Sequence, residues 1–344
     1  MENNKKIIDC GTCGDDAQYN IMEDGTLIVS GNSEMFNYDY TSLSPFFNNH
    51  KIKKVIIEEV IKSIGNSAFN GCSLTQIEIT TSVRKIGIYA FSGCEYLTSI
   101  TIPDGIIKID PWAFYDCKSL KSVKISDTVT LINEYTFRKC KSLKTIFISK
   151  SVTEIENNYA FSECESLESI EVDENNKFYK SIDGVLYDKN LTTLIYCPSA
   201  KTSIQIPDSV TQIAERAFCA CKFIESITIP NNVTKIGEEA FRGCKSLKLI
   251  RIPDGVQEIE EYSFDGCESL KSITIPNNIA KIGYCAFSNC KSLTSITIPN
   301  SVIEIQDCIF DDCTSLISIF APRKTMEKFA ETLNKYKSIV KIIK

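Results

Sequence analysis

The stretch IPDGIIKIDPWAFYDCKSLKSVK, residues 102–124, decides the fold of this chain because the sequence repeats it. The copy is about 23 residues long, and it recurs with small changes from about residue 54 to residue 320. A fixed period of this size predicts a solenoid, in which each copy forms one coil that stacks on the previous coil. Solenoids bind partners far more often than they catalyse reactions. The sequence therefore predicts an architecture more closely than it predicts a ligand.

The anchor of each copy is a phenylalanine, usually preceded by alanine and followed three residues later by cysteine. Successive anchors are one repeat apart, with one exception between Phe161 and Phe218. This longer interval holds one ordinary coil and one enlarged coil, so a single coil carries about eleven extra residues and lacks its Ala-Phe half. The anchors are Phe69, Phe91, Phe114, Phe137, Phe161, Phe218, Phe241, Phe264, Phe287 and Phe310.

The order of residue types inside a copy predicts two short strands and a turn. Residues 272–275, SITI, alternate polar and apolar side chains, which indicates a half-buried strand. Pro276 ends this strand because proline donates no backbone hydrogen bond, and Asn277-Asn278 turns the chain. Residues 279–282 begin a second extended run, after which the phenylalanine and the cysteine point inward. Equivalent residues of stacked coils are then about 4.8 Å apart.

The composition argues against two classes of protein. The net charge is −6, whereas a nucleic-acid-binding protein presents a basic face. No run of 18 apolar residues occurs, so the sequence encodes no transmembrane helix. Sixteen cysteines are a high count, but ten of them occupy one slot of the repeat, where a thiol packs as a small hydrophobe. These are Cys72, Cys94, Cys117, Cys140, Cys164, Cys221, Cys244, Cys267, Cys290 and Cys313.

Both ends of the chain depart from the repeat and predict caps for the terminal coils. We expect an N-terminal cap at residues 1–50, with a hairpin around Asp24-Gly25, and a solenoid at 51–322. A hairpin insertion is expected at about 173–200, turning near Asp183-Gly184 or Lys189-Asn190 and projecting from its coil. Residues 323–344 predict a C-terminal cap of one helix and one strand. Its helical stripe is Met326, Phe329, Ala330 and Leu333.

The repeat is similar to the BspA-like subclass of leucine-rich repeats. Good copies of that family's pattern are LKSITIP at residues 270–276 and VTKIGEEAF at residues 233–241. Residues 11–15, GTCGD, are similar to the family's N-terminal cap, and residues 182–187, IDGVLY, are similar to its inserted coil. The resemblance covers nearly the whole chain. It implies a β-rich leucine-rich-repeat solenoid, an arc of about eleven 23-residue coils with a cap at each end.

The resemblance also implies a function. The family is known from anaerobic bacteria and from parasitic protists such as trichomonads, where most members are surface or secreted proteins that adhere to host proteins. It implies a non-enzymatic adhesin-like protein at the cell surface or outside the cell, with a host or matrix protein as partner and no cofactor. The contacts are expected on the concave face and the inserted hairpin. The resemblance identifies no ligand-binding residues in this chain.

An intracellular scaffold that organises cytoplasmic partners is the alternative. The start, MENNKKIIDCGTCGDD, has no apolar h-region and does not read as a secretory signal. The C-terminal end shows neither a hydrophobic anchor nor a lipidation motif. Buried, reduced thiols in the repeat slot agree with a cytoplasmic location. Cys285 and Cys308, one repeat apart in a separate column, are the best candidates for a disulfide between coils.

Catalytic and metal chemistry have little support in the sequence. Cys10 and Cys13 form a single CxxC motif, whereas a structural zinc site needs four ligands and usually a second such pair. The one histidine, His50, lies in a loop-like stretch, and it would have to serve any Ser-His or Cys-His arrangement. No glycine-rich phosphate-binding loop is present. We therefore expect no enzyme, no metal site and no cofactor.

The exposed strand positions carry the functional hypothesis. Down the stack, the position between the two inward isoleucines is mostly occupied by threonine, glutamate or glutamine, and its neighbour by serine or threonine, as β-propensity alone would favour. Aromatic and arginine side chains are typical interface anchors. The alternative is ordinary surface variation and, for Phe320, burial under the C-terminal cap. The positions that deviate, and that we expect to contact a protein partner, are Lys124, Phe147, Leu249 and Arg251.

Overall fold

The computed structural model describes residues 6–343 of the chain. Residues 1–5, which belong to the predicted N-terminal cap and to the stretch searched for a secretory signal, lie outside the described residues, as does Lys344 of the predicted C-terminal cap. The chain divides into two compact units, Met1–Tyr179 and Lys180–Lys344. Each unit is a stack of short β-strands, and each is described by itself.

In the part of unit 1 that the structure describes, the chain forms fourteen strands and one short 3₁₀ helix, Asn158–Phe161. Most strands are very short because each coil must turn several times within a single copy of the repeat. They are β1 (Ile7–Gly14), β2 (Ala17–Met22), β3 (Thr26–Gly31), β4 (Lys54–Ile57), β5 (Ser63–Ile64), β6 (Gln76–Glu78), β7 (Lys85–Ile86), β8 (Ile100–Thr101), β9 (Lys108–Ile109), β10 (Ser122–Lys124), β11 (Leu131–Ile132), β12 (Thr145–Ile148), β13 (Glu154–Ile155) and β14 (Ser169–Val172).

The pairing of these strands changes from antiparallel to parallel where the repeat begins. β1, β2 and β3 form an antiparallel meander, and β2 and β3 are the hairpin expected around Asp24-Gly25. β3 then pairs in parallel with β4, and β4 pairs in parallel with β6. Further along, β8, β10, β12 and β14 form one parallel sheet, whereas β5, β7 and β9 form a second sheet and β11 and β13 a third. The parallel ladders are what a stack of identical coils requires.

The turn that carries the phenylalanine contains two residues with positive φ. In the coil that begins at β8, these are Trp112 (φ 63°) and Asp116 (φ 59°), on either side of Phe114. The amide of Phe114 donates to the carbonyl of Thr136 in the next coil at 3.0 Å, and the amide of Asp116 donates to that of Arg138 at 2.9 Å. The left-handed backbone therefore points alternate amides along the stack, where they bond the turns of successive coils.

Phenylalanine rings form the centre of the core. The rings of Phe91 and Phe114 are 5.4 Å apart and nearly parallel, and those of Phe114 and Phe137 are 5.6 Å apart. All of these side chains are fully buried. Full burial of one such side chain stabilises a fold by about 1.5–3 kcal/mol, so the column is a major part of the core.

The repeated cysteine has a specific role beside this column. The Cys117 thiol is buried and donates to the carbonyl of Phe91 in the preceding coil, with a sulfur–oxygen distance of 3.2 Å. The Cys94 and Cys140 thiols make the same contact with Phe69 and Phe114. The repeat pattern by itself predicts only a packing role for this slot. The structure adds a weak second hydrogen bond to a carbonyl that already accepts a backbone amide, as the Phe91 carbonyl does from Cys94 at 3.1 Å.

Unit 2 repeats the same construction. It ends with helix α1 (Arg323–Lys328), a 3₁₀ helix (Asn334–Tyr336) and a final strand. Its strands are β15 (Tyr179–Ile182, which starts at the boundary of the units), β16 (Val185–Asp188), β17 (Thr193–Tyr196), β18 (Gln212–Ile213), β19 (Ser226–Ile227), β20 (Lys235–Ile236), β21 (Leu249–Arg251), β22 (Glu258–Ile259), β23 (Ser272–Thr274), β24 (Lys281–Ile282), β25 (Ser295–Thr297), β26 (Glu304–Ile305), β27 (Ser318–Pro322) and β28 (Val340–Ile343).

The inserted segment is a hairpin, but it does not project from the stack. β16 and β17 pair antiparallel, and β17 also pairs in parallel with β18, which pairs with β20. Tyr187, Leu194 and Tyr196 are buried in the core of unit 2. The expectation of a projecting hairpin is therefore wrong. These large apolar side chains replace the missing phenylalanine half of the coil, so burying them draws the hairpin into the stack.

The solenoid has about thirteen turns, slightly more than the eleven counted from the repeat. Extra turns arise where the chain continues the stack without the repeat. At the start, the ring of Phe46 stacks on that of Phe69 at 5.5 Å, although no repeat pattern surrounds Phe46. At the end, β28 pairs in parallel with β27, as a further coil does. The helix before β28 ends at Lys328, earlier than the apolar stripe predicts, because the chain must return to the sheet.

Candidate partner-binding surfaces

Lys124 and Phe147 lie side by side on the strand face of unit 1. They are Cα partners in the parallel pair β10–β12, and Phe147 is in turn the partner of Glu171 in β14. The Lys124 ammonium lies 5.5 Å from the centre of the Phe147 ring, which is half-buried. A cation–π contact of this exposed kind contributes about 0.5–1 kcal/mol. The structure thus brings these two predicted residues together as one small patch.

Leu249 and Arg251 lie on the same face of β21 in unit 2, two residues apart. Leu249 is 59% exposed, a large fraction for a leucine. The Arg251 guanidinium pairs with Asp254 at 3.3 Å, and both side chains are exposed. An exposed pair of this kind contributes at most about 1 kcal/mol, so the guanidinium remains available to a partner.

A groove in unit 2 adjoins this second patch. It has a volume of about 1110 Å³ and lies between the start of the inserted segment and the exposed strand face. Its walls include Ile182 and Asp183 on one side and Ser226 and Thr228 on the other. Ser226 is the Cα partner of Leu249 in β19–β21, so Leu249 continues the wall formed by Ser226. The groove, Leu249 and Arg251 therefore form one surface with apolar, cationic and hydroxyl groups.

A second row of side chains lies on the outer turn, two residues before each phenylalanine, and the sequence pattern identified only its two cysteines, Cys285 and Cys308. In unit 1 this row is aromatic: the rings of Tyr89 and Trp112 are 5.5 Å apart, and those of Trp112 and Tyr135 are 4.0 Å apart. In unit 2 the same slot holds Arg216 and Glu239, which form an ion pair. It then holds Tyr262, followed by Cys285 and Cys308, which are free thiols and do not form the disulfide considered from the sequence. The row could have been found by aligning the copies on their phenylalanines, because the slot is the least uniform in the turn.

Cys10, Cys13 and His50 are the residues whose types could serve metal or catalytic chemistry. Within residues 6–343, no three His, Cys, Asp or Glu side chains are grouped as metal ligands. Cys13 is buried, and burial raises the pKa of its thiol to about 12, so it is protonated at neutral pH. The Nδ1 atom of His50 lies 2.8 Å from the Ser73 hydroxyl, and Ser73 is itself buried. This contact ties the segment before the repeat to the first coil.

The family assignment follows from the repeat and its geometry. The family model for the BspA type leucine rich repeat region matches residues 41–168, 189–317 and 237–342. The chain belongs to the BspA-type leucine-rich repeat family. Leucine-rich repeats of this kind generally mediate protein interactions and serve as non-enzymatic scaffolds. None of the curated proteins compared with the chain matches it.

Solved structures agree with this assignment. A leucine-rich repeat protein from Eubacterium ventriosum is 30% identical over 90% of this chain and 84% of its own, with a TM-score of 0.80. A leucine rich cell surface protein from Faecalibacterium prausnitzii is 29% identical over 97% of this chain and 98% of its own, with a TM-score of 0.68. The pneumococcal vaccine antigen PcpA, 22% identical over 98% of both chains with a TM-score of 0.76, shares the fold.

Between residues 6 and 343, no helix has the length and apolar character needed to cross a lipid bilayer.

Proposed function

We propose that this BspA-type repeat protein is a non-enzymatic binding protein of the cell surface or the extracellular space that holds a host or matrix protein. Its contacts are Lys124 and Phe147 on unit 1, and Leu249 and Arg251 beside the groove of unit 2. We also propose the functional division into a cap at residues 1–50, a solenoid at 51–322 and a cap at 323–344. The cell-surface relative from Faecalibacterium prausnitzii supports the location.

The observation that carries the proposal is the combination of Leu249 with the groove. Because a leucine that is more than half exposed leaves apolar surface in water, a partner that covers it gains free energy from burying that surface. Beside it, Arg251 supplies planar donors for carboxylate or carbonyl groups, and the groove accepts a protruding loop. Catalysis has no comparable support among the described residues.

Binding to a panel of purified extracellular-matrix proteins, measured by biolayer interferometry, tests the proposal. Leu249→Ser and Phe147→Ser should each weaken binding to the protein that the wild type captures, by about tenfold if the side chain is an anchor. Ile303→Ser is the matched control, since Ile303 is also a highly exposed aliphatic residue of unit 2 but lies in another slot. Equal affinity of Leu249→Ser, Phe147→Ser and wild-type protein would contradict the assigned contacts.

The cellular location is tested separately by protease treatment of intact cells. A surface protein is digested, whereas an intracellular scaffold is protected until the cells are lysed. Protection in intact cells would refute the surface assignment and favour the scaffold.

A further inference from the structure

An apolar pocket in unit 1 lies where the segment before the repeat crosses the first coils. Its volume is about 400 Å³, and its large apolar and aromatic lining residues are Tyr38, Tyr40, Leu43, Phe47, Ile88 and Tyr89. Tyr40 is 92% exposed and Leu43 is 55% exposed. Large apolar side chains in such positions indicate an interaction site when they are grouped around a concavity.

The pocket is held in place by hydrogen bonds on both sides of its rim. The amide of Tyr38 donates to the carbonyl of Asn66 at 2.9 Å, and the Ser44 hydroxyl donates to the buried carbonyl of Ala68 at 2.6 Å. The amide of Asn48 donates to the carbonyl of Asn70 at 3.0 Å. The segment from Tyr38 to Asn48 is therefore fixed to the first coil, and the cavity exists before any partner binds.

Among the described residues that line the pocket, Asp39 is the one with a charged side chain. One of its carboxylate oxygens, Oδ1, accepts from the amide and hydroxyl of Thr41 at 2.7 and 2.6 Å and from the amide of Ser42 at 2.9 Å. These bonds, led by the Thr41 hydroxyl, lower the pKa of Asp39 and keep it ionised. No basic side chain within residues 6–343 forms an ion pair with it, so its negative charge is available at the pocket rim.

We propose that this pocket binds an arginine side chain of a partner protein, with the guanidinium at Asp39 and the hydrocarbon stem over the apolar lining. Arginine fits each part of the site. Its stem covers apolar surface while its head stays hydrated at the rim, and its planar head stacks on aromatic rings such as that of Tyr40. The net charge of −6 also attracts basic partners over a distance.

A row of rings leads away from the pocket and supplies a reporter. Tyr89 lines the pocket, and its ring lies 5.5 Å from the ring of Trp112. Trp112 is the single tryptophan of the chain. A ligand in the pocket would contact Tyr89 and so change the surroundings of Trp112, and tryptophan fluorescence should therefore respond to binding.

Four capped peptides test the inference: acetyl-Gly-Phe-Arg-Gly-amide and versions with citrulline, lysine or glutamate in place of arginine. Citrulline has nearly the shape of arginine without the charge. Titrations followed by tryptophan fluorescence and ligand-observed NMR should give the arginine peptide about three- to tenfold higher affinity than the citrulline peptide, from the added ion pair and cation–π contact. The glutamate peptide should bind most weakly, and the preference for arginine should shrink with added salt.

Variants assign the preference to the pocket. Asp39→Asn keeps an oxygen that accepts the turn hydrogen bonds, so the fold is retained while the arginine and citrulline peptides should become equal. Tyr40→Ala should weaken both peptides. The matched controls are Asp104→Asn and Tyr96→Ala, which alter an exposed carboxylate and an exposed ring outside the lining and should behave as wild type. Equal binding of arginine and citrulline peptides to wild type, or an unchanged preference in Asp39→Asn, would overturn the inference.

Discussion

Raising the pH above 9 should unfold unit 1 through its column of buried thiols. Burial raises the pKa of each of these thiols above the ordinary value of 9.0, to about 12 for Cys72. Below pH 9 such a thiol is protonated in both the folded and the unfolded chain, so its full contribution to the free energy of unfolding is present. Above pH 9 the unfolded chain releases its protons and the folded chain does not, so the free energy of unfolding falls as the pH rises. The thiols are Cys72, Cys94, Cys117, Cys140 and Cys164.

The magnitude follows from the number of thiols. Each group that is ionised only in the unfolded chain lowers the free energy of unfolding by about 1.4 kcal/mol per pH unit. The five thiols of the column lower it by about 7 kcal/mol per pH unit above pH 9, and the buried Cys13 thiol adds to this slope. This loss is comparable with the whole stability of a typical domain, about 5–15 kcal/mol. Unfolding is therefore expected within one or two pH units of the ordinary thiol pKa.

The assay is urea unfolding followed by circular dichroism at several pH values from 8 to 10.5, with a reductant present. The double variant Cys94→Ala, Cys164→Ala should be less stable than wild type at pH 8, because two buried carbonyls lose their thiol donors. Above pH 9, the free energy of unfolding of the variant should nevertheless fall less steeply than that of wild type, with a slope smaller by about 3 kcal/mol per pH unit. The two curves should approach each other as the pH rises.

The control is Val129→Ala, which removes buried apolar atoms from unit 1 without removing a titratable group. It should lower stability by a similar amount at every pH and leave the slope unchanged. A slope that is the same in wild type and in the double variant would refute the reasoning.

Two further changes probe the core and the end of unit 1. Phe114→Ala removes a fully buried ring that stacks on Phe91 and Phe137. The free energy of unfolding, measured by urea titration, should therefore fall by about 3–5 kcal/mol. A loss below about 1 kcal/mol would contradict the role of the ring column in the core. Asn176→Ala removes a buried side-chain amide that donates hydrogen bonds to the carbonyls of Ser149 and Val152 and accepts hydrogen bonds from the backbone amides of Phe178 and Tyr179. The substitution should lower the free energy of unfolding by about 2–4 kcal/mol and speed amide hydrogen exchange at residues 176–179. Unchanged exchange at these residues would show that the side-chain amide is dispensable.

The repeat itself could be predicted because each slot of the coil is sampled about ten times. A phenylalanine that recurs once in every copy must lie at the same place in every coil, so its burial, the burial of the cysteine and the outward direction of Lys124 and Leu249 follow from the period and the alternation of the strands. The family resemblance rested on the same slots. The exposed patches on the strands could be predicted from the sequence because their residues differ from those that most copies of the repeat carry at the same position.

Features that occur once in the chain were harder to predict. The inserted segment was expected to project, but Tyr187 and Leu194 are buried and draw it into the sheet. The pocket at Asp39 could not be predicted either, because its lining comes from two stretches of the sequence, residues 38–47 and 66–89, that only the packing of the first coils brings together.

The sequence by itself therefore determined the period, the identity of the core columns and the exposed strand positions, since these depend on local alternation repeated many times. The tertiary structure alone decided how the chain begins and ends its stack, where Phe46 joins the ring column and β28 continues the sheet. It also decided the left-handed turns at Trp112 and Asp116, whose amides bond the next coil. The physical reason is that these features depend on contacts with the neighbouring coil, which no single copy of the repeat contains.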